Sequence, residues 1–168
     1  MHIPGLGPVT QDDDAYVSEP IPVPVLGGRP CRITVEGYDD DEAQDDFHAA
    51  IRAFLAAGPE TLRAAAPAIF AYYRDVMSAL SPADDGYVEI AGPADVLDHV
   101  RPGDEPTVSR DRYGDGQVYV SVECECAWEP EHGLQIVFRD GRTVSKVGPY
   151  DGHLTNAPAH VVYRSPTA

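Results

Sequence analysis

The chain has 168 residues, with 12 basic against 28 acidic side chains and a formal charge of -16 at pH 7. This length predicts about one domain that buries a substantial core. The negative field disfavours binding to nucleic acid or to anionic membrane surfaces, and it favours cations or basic proteins as partners.

Neither a secretory leader nor a membrane span is expected. Residues 1–10 lack the basic start and apolar run of a signal peptide, and no stretch approaches the ~18 to 20 apolar residues of a transmembrane helix. Residues 1–14 mix proline, glycine and aspartate, which predicts a loosely ordered segment. We therefore expect a cytoplasmic protein with one domain over residues 15–163 and a tail over residues 164–168.

Two extended segments around a glycine pair predict a β-hairpin. They cover residues 21–26 and 29–36, with Gly27-Gly28 between them. The prolines at positions 20, 22 and 24 cannot donate to a β-ladder. The first strand should therefore lie at an edge.

Two helices are predicted to follow the hairpin. Apolar residues at positions 47, 50, 51, 54 and 55 have the spacing of one helical face, and Gly58-Pro59 ends this helix. The second helix should run from about Glu60 to Leu80, with Pro67 kinking it or separating its first turns. The short connection predicts an antiparallel helix pair.

An acidic run lies at the start of the first helix, where carboxylates cap free N–H groups and complement the helix dipole. The capping role is expected of Asp39, Asp40, Asp41 and Glu42, and Asp45 and Asp46 complete the run. A calcium loop is disfavoured because the spacing lacks the glycine and the closing glutamate of such loops. The same run is our candidate surface for attracting a basic protein partner.

The C-terminal half predicts a three-stranded meander. Strict alternation over residues 118–126 and 134–138 indicates two strands, and Asp140-Gly141 turns the chain into a third at residues 143–147. With the hairpin, this order predicts an α+β fold. An antiparallel sheet of about five strands would pack against the helix pair in a single layered domain.

The end of the first meander strand and the turn that follows it hold a group of residues for which we expect a structural role. They are Cys124, Cys126, Trp128 and Gly133. Alternation places both thiols with the valines, and buried free cysteine behaves as a small hydrophobe. A Cys-x-Cys pair on a straight strand lacks the second ligand pair of a structural zinc site.

The same turn is also a candidate metal or acid–base site, because a histidine lies beside carboxylates. The candidate ligands are Glu131 and His132 in the turn and Asp151 and His153, which follow the last meander strand and are expected near the same edge of the sheet. Glu123 or Glu125 would support them. Imidazole and carboxylates bind divalent metal, which could activate water for hydrolysis. The alternative role for His132 is a turn residue bonded to a backbone carbonyl. No other cofactor is expected, since the sequence contains no phosphate-loop, nucleophile-elbow or zinc-helix motif.

The run Cys-Ala-Trp-Glu-Pro-Glu-His-Gly-Leu at residues 126–134 resembles a family of small bacterial proteins known only as a domain of unknown function. In that family a later strand ends in Val-Gly-x-x-Asp, which corresponds here to residues 147–151. The resemblance covers roughly residues 20–153 and implies a fold but no reaction. Size and charge resemble, more loosely, the immunity proteins encoded near bacterial toxins.

The leading functional hypothesis is a non-enzymatic cytosolic protein that binds a basic partner through its acidic surface. The net charge and the lack of a catalytic template favour it, and such association should depend on salt. The competing hypothesis is a metal-binding protein or metal-dependent hydrolase with its site around Glu131, His132 and Asp151.

Overall fold

Three α-helices and eleven β-strands are found in the computed structural model, which describes residues 1–155. The helices are α1 (Gln44–Ala56), α2 (Pro59–Arg63) and α3 (Ala66–Met77), with 3-10 helices at Pro24–Leu26 and Pro93–His99. The strands are β1 (His2–Ile3), β2 (Gly7–Asp12), β3 (Ala15–Ser18), β4 (Ile21–Val23), β5 (Arg29–Cys31), β6 (Thr34–Glu36), β7 (Val100–Pro102), β8 (Thr107–Arg110), β9 (Val118–Cys126), β10 (Leu134–Arg139) and β11 (Thr143–Gly148). The expected domain end at residue 163 and the tail at 164–168 lie outside the described residues.

The main sheet has nine strands, so the prediction of about five was too low. Its order is β1-β2-β3-β6-β8-β9-β10-β11, with β7 paired to β9 beyond the end of β8. Its pairs are antiparallel except β6–β8. The strands that sequence analysis missed, β1, β2, β3, β7 and β8, are two to six residues long. Such short segments carry too few alternations to be distinguished from loop.

The N-terminal segment, expected to be loosely ordered, belongs to the sheet. β2 pairs with β3 along four residues, and β1 folds back on β2. Ile3 and Leu6 are buried in the hydrophobic core. Isolated apolar residues in a polar stretch therefore attach this segment to the domain.

The predicted hairpin is confirmed in its first part. β4 and β5 pair antiparallel, with Ile21 opposite Cys31, and form a separate two-stranded sheet. Pro24 begins a 3-10 helix that ends β4 early. The rest of the predicted second strand becomes β6, which joins the main sheet beside β3.

The helices follow the predicted break at proline. α2 ends at Arg63, and Pro67 lies in the first turn of α3, where a missing N–H leaves no helical bond unmade.

α1 packs on β8 and β9, with the Phe54 ring 5.2 Å from that of Phe138 in β10. α3 contacts β11 and the second 3-10 helix. No helix in the described part of the chain is long and apolar enough to cross a membrane.

Candidate functional site

The turn between β9 and β10, residues 127–133, is anchored in the core by Trp128. Its side chain is 2% exposed, and the rings of Tyr72 and Tyr73 each meet it edge-on at a centroid distance of 5.8 Å. Tyr72 also donates a 2.8 Å hydrogen bond from its hydroxyl to the carbonyl oxygen of Gly133. Helix α3 therefore holds both ends of the turn.

Gly133 occupies a position where the turn requires glycine. Its φ is +66°, and a Cβ added there would lie 2.6 Å from the carbonyl oxygen of Cys124. Its N–H donates to the carbonyl oxygen of Glu129 at 2.9 Å. A side chain would meet both left-handed strain and a backbone clash.

The two cysteines of β9 point into the core, as the alternation predicted. Burial raises the pKa of Cys124 to about 12 and that of Cys126 to about 11. Both thiols are therefore protonated at neutral pH, whereas nucleophiles and metal ligands act as thiolates. Buried, protonated thiols fit a structural role for Cys124 and Cys126.

The opposite face of β9 is covered at one end and open at the other. Tyr119 is buried, and its hydroxyl donates to Asp115 Oδ2 at 2.6 Å. Glu123 and Glu125, further along, are exposed. Their carboxylates are solvated and need no buried partner.

Three side chains of the turn converge on one point. One ligand atom from each of Glu129, Glu131 and His132 lies within 4.8 Å of the others. Glu129 Oε1 accepts the His132 backbone N–H at 3.4 Å and lies 3.5 Å from His132 Nδ1. The latter contact is an ion pair when the imidazole is protonated. Glu129 was not among the predicted ligands, although it lies three residues before the histidine.

Asp151 and His153, the other two predicted ligands, belong to a different network. Lys146 Nζ is buried and donates to Asp151 Oδ1 at 2.5 Å, to the His153 carbonyl oxygen at 2.8 Å and to Gln135 Oε1 at 3.0 Å. Burial acts to raise the pKa of Asp151, but hydrogen bonds from Lys146 and from the His153 N–H outweigh it, and the pKa is lowered. Three acceptors satisfy the three donors of an ammonium group.

Sequence reasoning missed this buried lysine, although Lys146 is the only lysine in the chain. Lys146 lies opposite Val137 of β10, at a point where the register between the two strands shifts. The available signal was composition, since every other basic side chain apart from histidine is an arginine.

An open cleft of about 1280 Å³ runs between β7 and the β9–β10 turn. Seven carboxylates and two arginines line it, so its field is negative. Arg101 lies opposite Glu125 across the β7–β9 pair. Its Nη1 atom is 3.6 Å from Glu125 Oε2, and both side chains are exposed. The seven carboxylates belong to Asp98, Asp104, Glu105, Glu123, Glu125, Glu129 and Glu131.

Most carboxylates of the acidic run at the start of α1 bind other side chains of the same protein. Arg110 of β8 donates to both carboxylate oxygens of Asp41, at 2.7 and 3.0 Å, and to Asp46 at 3.0 Å. The hydrogen bonds from Arg110 hold the pKa of Asp41 below its usual value. Asp41 also accepts the N–H of Ala43, so this residue secures the start of α1 to β8.

The remaining acidic residues of the run differ in their surroundings. Asp39 accepts a 2.6 Å hydrogen bond from the hydroxyl of Tyr16. Asp45 lies 3.2 Å from His48 Nδ1. Asp40 and Glu42 are exposed. Among residues 1–155, no side chain forms a capping hydrogen bond with the first turn of α1, so the capping predicted for the carboxylates of residues 39–42 is wrong.

These features define an α+β domain with a mostly antiparallel sheet and an acidic cleft beside a core-anchored turn. Residues 5–154 match the model of DUF6985, a domain of unknown function, and the chain belongs to this family. The expected membership of a family without an assigned function is thereby confirmed. No match is found among curated proteins or among solved structures.

Proposed function

We propose that this domain is a non-enzymatic binding protein whose acidic cleft docks a basic segment of a protein partner. The observation that carries the proposal is the excess of seven carboxylates over two arginines in the cleft. A concave wall of one charge concentrates its field, and an entering lysine or arginine forms charge-assisted hydrogen bonds with carboxylates. The formal charge of -16 adds attraction at longer range.

The cleft is a better docking surface than the acidic run before α1. The Asp41 side chain is 5% exposed and already neutralised by Arg110. Asp40 and Glu42 are exposed, and they contribute mainly to steering a partner during its approach.

An immunity-like role, in which an acidic protein masks a basic one, is the specific form of binding that we favour. We place it in the cytoplasm. The three cysteines of the chain are all free and buried, which is the usual state in a reducing compartment.

A labelled octalysine peptide provides the test. Its affinity should be measured at low and at high salt, for the wild type and for two double variants. Glu123→Lys with Glu131→Lys alters the cleft, and Asp40→Lys with Glu42→Lys makes the same change in formal charge on the acidic run. We expect the cleft variant to lose about tenfold in affinity, ~1.4 kcal/mol, and the control to lose much less.

Two outcomes would contradict the proposal. Octalysine that does not bind the wild type, or that binds with no dependence on salt, removes the electrostatic basis of docking. Equal losses in the two double variants would show that net charge matters and that the cleft does not.

A divalent metal at the β9–β10 turn is a second candidate function. The convergence of Glu129, Glu131 and His132 supports it, because two carboxylates and an imidazole are ligands that zinc and manganese accept. Asp151 is engaged by Lys146 and is not part of this group, so the ligand set differs from the expected one. The cleft would leave further coordination positions open to water, as hydrolytic chemistry needs.

The metal proposal is tested by titrating the protein with zinc in a calorimeter and by measuring its thermal midpoint with and without zinc. We expect one ion per chain in the wild type, a matching rise in thermal midpoint, and loss of both in His132→Ala. His99→Ala is the matched control, since His99 also lines the cleft. Undiminished binding in His132→Ala, or no shift with zinc or manganese in the wild type, would reject the site.

A further inference from the structure

Residues 149–153, which follow β11, are attached to the sheet by a group of polar contacts. Lys146 Nζ donates to Asp151 Oδ1 at 2.5 Å and to the His153 carbonyl oxygen at 2.8 Å. Gln135 Nε2 donates to the same carbonyl oxygen at 3.1 Å, and the His153 N–H donates to Asp151 Oδ1 at 2.9 Å. These four hydrogen bonds therefore meet at two acceptors of the segment.

The segment is exposed, whereas the side chains that it touches are closed to solvent. Residues 149–153 are all exposed, and none of them belongs to the hydrophobic core. A Cβ added to Gly152 would meet no atom within 4 Å. Lys146 is 4% exposed and Gln135 is 1% exposed. Segments with few buried apolar contacts open locally at a small cost in free energy, so residues 149–153 can leave the sheet while the core stays closed.

The ion pair between Lys146 and Asp151 is the charged contact among these hydrogen bonds. Opening the segment differs physically from deleting one partner of the pair. In an open segment the ammonium and the carboxylate both regain water, which offsets much of their lost attraction. A deletion leaves the other charge without its partner, so opening costs less than either deletion.

We propose that residues 149–153 form a lid that opens as a unit, with the ion pair between Lys146 and Asp151 as its latch. The closed lid shields the only ε-amino group of the chain. The open lid exposes this amine to ligands and reagents while the sheet beneath it stays folded.

The rate at which an amine-reactive ester modifies Lys146 tests the latch, with peptide mapping to separate Lys146 from the α-amino group. Asp151→Asn removes the charge of the latch and should raise this rate about tenfold, the factor expected for a hydrogen bond to a charged group. Asp140→Asn is the matched control, because it makes the same change in the turn between β10 and β11, where the Asp140 side chain is 47% exposed. It should leave the rate unchanged. A latch variant that is modified no faster than this control overturns the proposal.

Urea distinguishes an opening lid from unfolding of the whole domain. The N–H of Tyr150, which donates to the carbonyl oxygen of His132 at 3.3 Å, belongs to the lid and should exchange with solvent through the same opening. Below the unfolding transition, its exchange and the modification of Lys146 should depend only weakly on urea, because a lid exposes little surface. This measurement uses the wild type and needs no variant. A urea dependence as steep as that of global unfolding, followed by Trp128 fluorescence, would show that Lys146 is reached only in the unfolded chain, and the lid would be rejected.

Discussion

The hydroxyl of Tyr72 donates a 2.8 Å hydrogen bond to the carbonyl oxygen of Gly133, which lies 61 residues further along the chain. This contact joins α3 to the turn that forms one wall of the acidic cleft. The shape of the cleft therefore depends on a helix packed behind the turn.

Removing this hydroxyl should destabilise the domain. Tyr72→Phe leaves a carbonyl oxygen without its donor, and we expect the free energy of unfolding to fall by about 1–2 kcal/mol. Urea denaturation monitored by the fluorescence of Trp128 measures it. Tyr113→Phe, at a fully exposed position, should have no effect. Equal midpoints for the two variants would mean that the bond adds no stability.

Gly133 should tolerate alanine less well than a glycine of similar backbone conformation with open space around it. Gly28 has φ +76° and no atom within 4 Å of an added Cβ. Gly28→Ala should lose about 1–2 kcal/mol from left-handed strain alone. Gly133→Ala should lose a further ~1–3 kcal/mol, because the carbonyl of Cys124 must move. The difference between the two unfolding free energies is the measurement, and a value near zero would contradict the close approach.

Lys146 should be the most costly basic side chain to remove from the C-terminal sheet. Lys146→Met leaves the acceptors of Gln135 and Asp151 without their donor, and we expect a loss of about 3 kcal/mol in unfolding free energy. That is the low end for a buried pair, since the Asp151 side chain is 25% exposed. Arg101→Met, which breaks an exposed pair, should cost less than about 1 kcal/mol. A smaller loss for Lys146→Met than for Arg101→Met would show that the buried network adds no stability.

The same burial predicts an unusual pattern of amine labelling. Lys146 is the only lysine, and its side chain is 4% exposed. An amine-reactive ester should therefore modify the native chain once, at the α-amino group, and twice after unfolding in urea. Intact-mass spectrometry distinguishes the two states. Rapid labelling of Lys146 in the native protein would show that the segment after β11 opens readily.

The ion pair between Asp41 and Arg110 should make stability depend on pH. Arg110 lowers the pKa of Asp41 in the folded chain. The ion pair therefore contributes fully to the free energy of unfolding above the pKa of Asp41 in the unfolded chain, near 3.8. It is lost as the pH falls through the folded value. Asp41→Asn should therefore cost about 2 kcal/mol near neutral pH and progressively less below about pH 4. Urea midpoints across this range measure the trend, and Asp40→Asn, at an exposed position, should show no such dependence.

The longest regular patterns of the sequence predicted their elements well. Strict alternation in β9 and β10 and the apolar stripe of α1 each extend over enough residues to exclude other structures. The break before α3 was predictable from Pro67, because proline lacks an N–H and tolerates only the first helical turn. The short N-terminal strands were missed, since two to six residues carry little periodicity and pair with partners that local sequence does not reveal.

By itself, the sequence determined the negative charge, the inward orientation of Cys124 and Cys126, and the turn at Gly133. These follow from composition, the two-residue period of a strand and the conformational freedom of glycine. Only the tertiary structure decided the partners of the charged groups. Lys146 binds Asp151, and Glu129 joins His132, because the pairing of β11 with β10 and the core-anchored turn set distances between side chains that no spacing along the chain specifies.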